Sequence, residues 1–335
     1  MTNTRSCRIP YFKKCCSSMV GIKNGSGVSA DNNHNMENQI MGIYKSNSDN
    51  NNDAGSVNFK LSVVTSHTCP LNQSISVHDG RLHKSINYPQ FDGTVNVVTC
   101  KGLTQFKLLL ENFQSHHAFI TGQIHQQGEW IESCNLHWDN PELEYFGLGI
   151  IDNADDYFRY RSDQPSLICF DIPNAFDTSE VAWEELCRID PMLNHVGYVV
   201  VPYASNAIRD RLTGKHLSSS RGYRFYCLAR NGKDITRYGR NFAQRATING
   251  FNDVEQSELT QYTIYQNVNA KLFCPGQIIE EAPASISEQL EQVTDPIEYH
   301  PGGLLDTEKF ADLNAPEHKA FMNLTVFGHQ VPFIF

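Results

Sequence analysis

From residue 58 onward, short apolar runs alternate with amphipathic stretches, whereas residues 23–57 follow neither pattern. Phe59 to Ser66 and Val95 to Val98 are rich in β-branched residues and predict strands, with Asp79-Gly80 and Asp92-Gly93 as turn signals. Phe106, Leu109, Leu110 and Phe113 recur at i, i+3, i+4 and i+7, predicting a helix with one buried face, capped by Thr104 and ending before His116-His117. Ser166 to Asp171 is a continuous apolar run closed by an acid, which reads as a buried strand delivering one carboxylate at its C-terminal end.

The pattern then repeats. Asp177 and Glu180 fit a capping box for a helix through Val181 to Arg188, and Val196 to Val201 is a second buried strand. Tyr223 to Leu228 predicts a third. Asp234 caps a helix whose Ile235, Tyr238, Phe242 and Ala246 face the core, leaving Arg237, Arg240 and Gln244 along another side. Lys271 to Pro275 reads as a closing strand, and Ser285 with Glu288 as the capping box of a short helix. This organisation divides the chain into a leader (1–57), an N-terminal α/β module (58–165), a core (166–280) and an acidic C-terminal segment (281–335).

Composition changes the picture at both ends. Between Lys23 and Val57, Asn, Ser, Gly and Asp dominate, with too little apolar surface to offset ordering entropy, so the leader is expected to be disordered. Its first thirty residues lack acids and carry Arg5, Arg8, Lys13, Lys14 and Lys23, the composition of a transit peptide; an inert basic leader is the simpler reading. The ten cysteines include no C-x-x-C pair and read as reduced, buried thiols of a cytoplasmic protein. No apolar run approaches the roughly eighteen residues of a membrane span, so no membrane partner is expected.

Charge is distributed unevenly. The net charge is -10, yet Ser205 to Arg245 holds ten Lys or Arg (Arg209, Arg211, Lys215, Arg221, Arg224, Arg230, Lys233, Arg237, Arg240, Arg245) against Asp210 and Asp234. Concentrated positive charge on an acidic molecule suits phosphate binding, since each neutralised phosphate releases counterions. From Gly276 to Ala320 the balance reverses, with ten acids against Lys309 and Lys319, which marks a candidate lid or partner arm.

Familiar motifs are mostly excluded. Thr213-Gly214-Lys215-His216 lacks both the earlier glycine and the hydroxyl residue of a phosphate loop. There is no nucleophile elbow, zinc-protease helix or kinase signature, and His116-His117 makes a poor metal chelate.

Leu167 to Asp171, Pro202 to Ile208, and Thr213-Gly214 leading into Gly222-Tyr223-Arg224-Phe225-Tyr226 together resemble primase-polymerases of the archaeo-eukaryotic type, carried by plasmids, phages and integrative elements. Asp234 to Gly239 and Val268 to Pro275 resemble that family's later helix and closing metal-site strand, and Pro70 to Gly80 its opening, so the resemblance spans roughly residues 58 to 310. It implies an α+β fold with a central antiparallel-rich sheet flanked by helices. It also implies two-metal phosphoryl transfer with magnesium or manganese, an acidic pair on the first strand, a histidine on the middle strand and an aspartate on the last.

Only Asp171 keeps its part, as catalytic residue and metal ligand. The second acid falls on Pro173, the histidine on Arg224 and the closing aspartate on Asn269. One Asp and an amide are a poor substitute for the carboxylates two divalent ions need, although Arg224 would still bind phosphate. Three readings follow. The first is a replication-associated, catalytically degenerate primase-like protein that binds single-stranded DNA or nucleotide through Lys215, Arg221, Arg224, Arg237, Arg240 and Asn269. The second is an active enzyme recruiting Asp177, Asp152, Asp155, Asp156, Glu255 or Glu258. The third is an interaction module or decaying remnant without a nucleic-acid role. Relatives in the family often continue into a helicase; this chain ends in Val331 to Phe335, so any unwinding is expected from a separate helicase.

Overall fold

The computed structural model describes residues 57–79, 81–86, 90–126, 128–139, 157–172, 176, 178–204, 206–217, 222–251, 253–256, 262–265, 273–293 and 295–326. The chain divides into Met1–Asn52 and Asp53–Phe335, and every described residue belongs to the second unit. It is mixed α+β, with several antiparallel sheets and four α-helices among the described residues.

The first half is strand-rich. It runs β1 (Asn58–Ser66), β2 (Gln73–His78), β3 (Arg81–Ile86), β4 (Gln90–Lys101), α1 (Gly102–Glu111), β5 (His117–Ile120), β6 (Gln123–Gln126), β7 (Glu129–Trp130), β8 (Ser133–Asp139) and β9 (Phe158–Arg159). β1 pairs antiparallel with β4 along its whole length, so the strand expected at Val95 to Val98 extends through Asp92-Gly93, which is not a turn. A Cβ on Gly93 would lie 2.3 Å from the Thr65 carbonyl oxygen, so this glycine marks a close approach of two backbones. The helix likewise starts earlier than Thr104 suggests. Gly102, at φ +75, turns the chain directly from β4 into α1, and the Gln105 side chain accepts from the Lys101 N–H at 2.5 Å. Leu103, Phe106, Leu109 and Leu110 form its buried face.

The second half carries the central sheet. β10 (Ser166–Ile172), α2 (Ser179–Ile189), β11 (Tyr198–Pro202), β12 (Ile208–Asp210), β13 (Tyr223–Ala229) and α3 (Ile235–Ile248) follow in order, then a small hairpin of β14 (Asp253–Gln256) and β15 (Tyr262–Tyr265). β13 lies between β10 and β11, antiparallel to both. Thr178 caps α2, its hydroxyl accepting from the Val181 N–H at 3.4 Å; the expected cap, Asp177, lies outside the described residues.

Both faces of this sheet are buried, which is why its strands read as apolar runs rather than alternations. Ile168, Phe170, Tyr198, Val200, Phe225 and Cys227 pack with α2 and α3. Leu167, Cys169, Val199, Val201, Tyr226 and Leu228 point the other way, onto Phe59 and Leu61 of β1, Phe106 of α1 and Phe119 of β5. Each fully buried Phe or Leu contributes about 1.5–3 kcal/mol, so these two layers dominate the core. Gly239 of α3 is needed here: a Cβ would sit 2.1 Å from the buried ring of Phe273.

The end of the core and the acidic segment fold back as added strands. β16 (Ile278–Ile279) extends the first sheet at β5, β17 (Ser285–Ile286) runs parallel to β2, β18 (Leu290–Gln292) pairs with β12, and β19 (Glu298–His300) pairs with β11. α4 (Ala315–Val326) ends the described chain. Ser285 therefore opens a strand instead of capping a helix, its hydroxyl accepting from Asn72 Nδ2 at 3.1 Å. Phe273, Cys274 and Pro275 form a helical turn and bend rather than a strand; residues 266–272 lie outside the described set. Among the described residues no helix is long and apolar enough to cross a membrane, and the cysteines are free thiols.

Candidate functional site

β10 and β13 place Asp171 directly opposite Arg224. Side chains alternate along a strand, so both share the face of Cys169 and Tyr226, which is turned toward the first sheet. Arg224 donates from Nε to Asp171 Oδ1 at 3.0 Å. Its Nη1 donates to the Glu280 carbonyl oxygen at 2.8 Å and to Glu281 Oε1 at 3.2 Å.

Two tyrosines complete the cluster. The Tyr203 hydroxyl donates to Asp171 and the Tyr226 hydroxyl to Glu281, while the Arg224 guanidinium lies 5.0 Å from the centre of the Tyr203 ring. The side chains of Arg224, Asp171 and Glu281 are 19%, 14% and 2% exposed, so these are inward-facing charges.

The electrostatics follow from that burial. Burial opposes the charge on Arg224, but Glu281 and Asp171 outweigh it and hold the guanidinium well above its ordinary range. Burial likewise raises Glu281, against the pull of Arg224 and the Tyr226 bond. Burial and the neighbouring Glu281 push Glu280 up to about 8. Two carboxylates thus converge on one guanidinium, which already provides the positive charge that a metal would otherwise supply. The donor set does not fit a pair of divalent ions: Asp171 and Glu281 are both committed to Arg224, and among the described residues no three His, Cys, Asp or Glu groups gather around a metal position. His117, one of the adjacent histidines, is buried and accepts from the Gln114 N–H at 3.0 Å through Nδ1.

The remaining expected residues separate into groups. Arg237 on α3 forms a double bond set with Asp234 (2.7 and 2.5 Å), reaches Asp312 at 2.6 Å and donates to the carbonyls of Phe310 and Thr307. Arg240, on the same helix, is exposed. Lys215 is exposed in the turn after β12, which Asp210 organises by accepting from the N–H groups of Leu212 and Thr213. Arg221, Asn269 and Pro173 lie outside the described residues, as do Asp152, Asp155, Asp156, Asp177, Glu258 and the side chain of Glu255.

The C-terminal acids meet the basic stretch directly. Arg209 pairs with Glu291 (2.9 Å), Arg230 with Asp306 (3.8 Å) and Arg245 with Glu317 (3.0 Å), beside the contacts of Arg224 and Arg237 already described. In the sequence Glu281 reads as one acid of the C-terminal stretch, without a motif that marks it as a site residue. Its signal was the setting, two adjacent acids flanked by Ile278-Ile279 and Ala282-Pro283. No protein-family model, curated protein or solved structure matches this chain.

Proposed function

We propose that this chain is a primase-like protein that has given up nucleotidyl transfer and retains a nucleic-acid-binding role. The observation that carries the reading is the Arg224 guanidinium bonded to both Asp171 and Glu281. In two-metal phosphoryl transfer, carboxylates must be free to hold ions against the phosphates. Here the acid that matches the family's first-strand position is neutralised by the residue that replaces its histidine. The sheet of β10, β13, β11 and β19, with every neighbouring pair antiparallel and α2 and α3 packed on one face, supports the reading, since the resemblance implies an antiparallel-rich sheet flanked by helices. The exposed cations Lys215 and Arg240, with Arg211 and Lys233, supply phosphate contacts that are insensitive to sequence.

A primer-synthesis and extension assay with magnesium or manganese, offering both deoxy- and ribonucleotides, tests the catalytic half. No product is expected. Robust synthesis abolished by Asp171→Ala would overturn it in favour of an enzyme using other acids. A salt-dependent titration with single-stranded DNA tests the binding half.

A second reading has its own observation. Five arginines of the basic stretch are paired with acids of the C-terminal segment, which lowers the charge available to a polyanion and favours a protein-interaction module. Absence of DNA binding at low salt would select it.

A further inference from the structure

β6, β7 and β9 form a small antiparallel sheet whose two faces differ. Ile124 and Phe158 are register partners, both buried in a core cluster with Val64 and Ile120. One step along, His125 lies opposite Trp130 of β7 on one side. On the other, the His125 N–H donates to the Tyr157 carbonyl at 2.7 Å, continuing the β6–β9 register by one residue.

Directly opposed residues share a face, so Trp130, His125 and Tyr157 make one aromatic row across three chain segments, opposite the buried face. The row is open, Trp130 being 37% and Tyr157 48% exposed. The His125 and Trp130 rings meet edge to face at 4.9 Å, and the Arg161 guanidinium lies 5.0 Å from the centre of the Trp130 ring. Arg159, two residues beyond Tyr157 and therefore on the same face, is exposed.

We infer that this row is a stacking platform for the bases of an unpaired nucleic-acid strand, with the exposed Arg159 directed to its phosphates and Arg161, paired with Asp163 at 3.4 Å, held against Trp130. Aromatic residues aligned on an exposed sheet face can stack two or three bases, and interleaved guanidinium groups add phosphate and cation–π contacts. The inner face already gives the sheet its core contacts, so the outer rings are not needed to anchor it. The platform rests on the nucleic-acid-binding reading above, and none of its residues belongs to the Asp171–Arg224 cluster.

Fluorescence anisotropy with labelled oligothymidine of about 15 nucleotides, compared with an abasic strand of the same length, separates stacking from phosphate contact. The full chain should prefer the thymidine strand. Trp130→Ala should weaken that binding about ten-fold, leave abasic binding unchanged and leave the melting temperature unchanged, with Trp130→Phe recovering part of the loss. Lys215→Glu should weaken both strands alike. Equal affinity for the two strands, or a preference that survives Trp130→Ala, overturns the platform while leaving the binding reading intact. Binding of neither strand at low salt removes the binding reading and the platform with it. Displacement of the thymidine strand by a neutral oligosaccharide would reassign the row to sugar rings and overturn the proposal.

Discussion

Two sets of cations from the same stretch of sequence meet opposite fates. Arg224, Arg237 and Arg245 are drawn against carboxylates and backbone carbonyls, with the Arg245 guanidinium also 4.5 Å from the centre of the Phe310 ring. Arg211, Lys215, Lys233 and Arg240 stand exposed, with no ion pair among the described residues. The difference is what folds back on each. The chain around Leu305 and Phe310, both buried, crosses α3 and brings Asp312 and Glu317 to Arg237 and Arg245, whereas at the turn after β12 the returning strand β18 gives Glu291 to Arg209 and only a backbone carbonyl, that of Gln289, to the Arg211 N–H. A surplus of charge within one window therefore measures attraction for some anion, and the nearest anion can belong to the same chain.

The largest effect should come from the most enclosed cation. Arg224→Ala leaves Asp171 and Glu281 facing a partly desolvated space without their shared partner, and should cost about 3–5 kcal/mol in urea unfolding. Arg224→Lys should recover only part, because an ammonium cannot reproduce the fork that reaches both carboxylates. A loss under about 1 kcal/mol for Arg224→Ala would place this arginine with the exposed set.

Much of this contrast was hidden for a physical reason. The strands and helices of the core were legible because their signals are local: an apolar run at Leu167 to Phe170, helical spacing from Ile235 to Ala246. Asp171 was legible as the acid closing that run, whereas Arg224 entered through the family resemblance and the basic stretch, and their pairing across β10 and β13 has no local signal. The partners of Arg224 and Arg237 lie 57 and 75 residues away, at Glu281 and Asp312, and are brought in by strand additions that no periodicity announces. Ser285 shows the same limit. Its hydroxyl and the acid three residues on satisfied a capping pattern, but pairing with β2 and the bond from Asn72 decided its conformation.

A second effect belongs to the same cluster and reads out in pH. Glu280 is raised from 4.5 to about 8 by burial and by Glu281. The folded state thus holds a proton that the unfolded chain releases above pH 4.5, so the stability linked to this group is full below that pH and declines as pH rises toward 8. The slope is at most one proton, about 1.4 kcal/mol per pH unit. Glu280→Gln should flatten the stability profile across this window and stabilise the protein at neutral pH. An unchanged profile would mean that Glu280 is solvated.

Next in size is the clamp on α3. Arg237→Ala removes the bonds to Asp234 and Asp312 and those to two backbone carbonyls, and should cost about 1–3 kcal/mol. Faster hydrogen exchange in residues 306–318 should accompany the loss. Arg240→Ala, three residues along the same helix, should change stability by less than about 0.5 kcal/mol. Equal costs for the two would erase the distinction between engaged and exposed cations on one helix.

The smallest effects on folding should be the most informative about binding. Lys215→Glu and Arg240→Glu reverse exposed charges, so unfolding midpoints should stay within experimental scatter. If these side chains meet phosphates, each reversal should weaken single-stranded DNA binding several-fold regardless of base sequence. The slope of log affinity against log salt should also become shallower by about one phosphate contact. Arg237, whose donors are already taken by two carboxylates and two carbonyls, should contribute nothing to that slope when replaced by neutral Gln in a background that remains folded. A salt slope that responds to Arg237 and ignores Lys215 would mean that the C-terminal acids leave α3 when DNA binds, and would reverse the assignment of which cations are available.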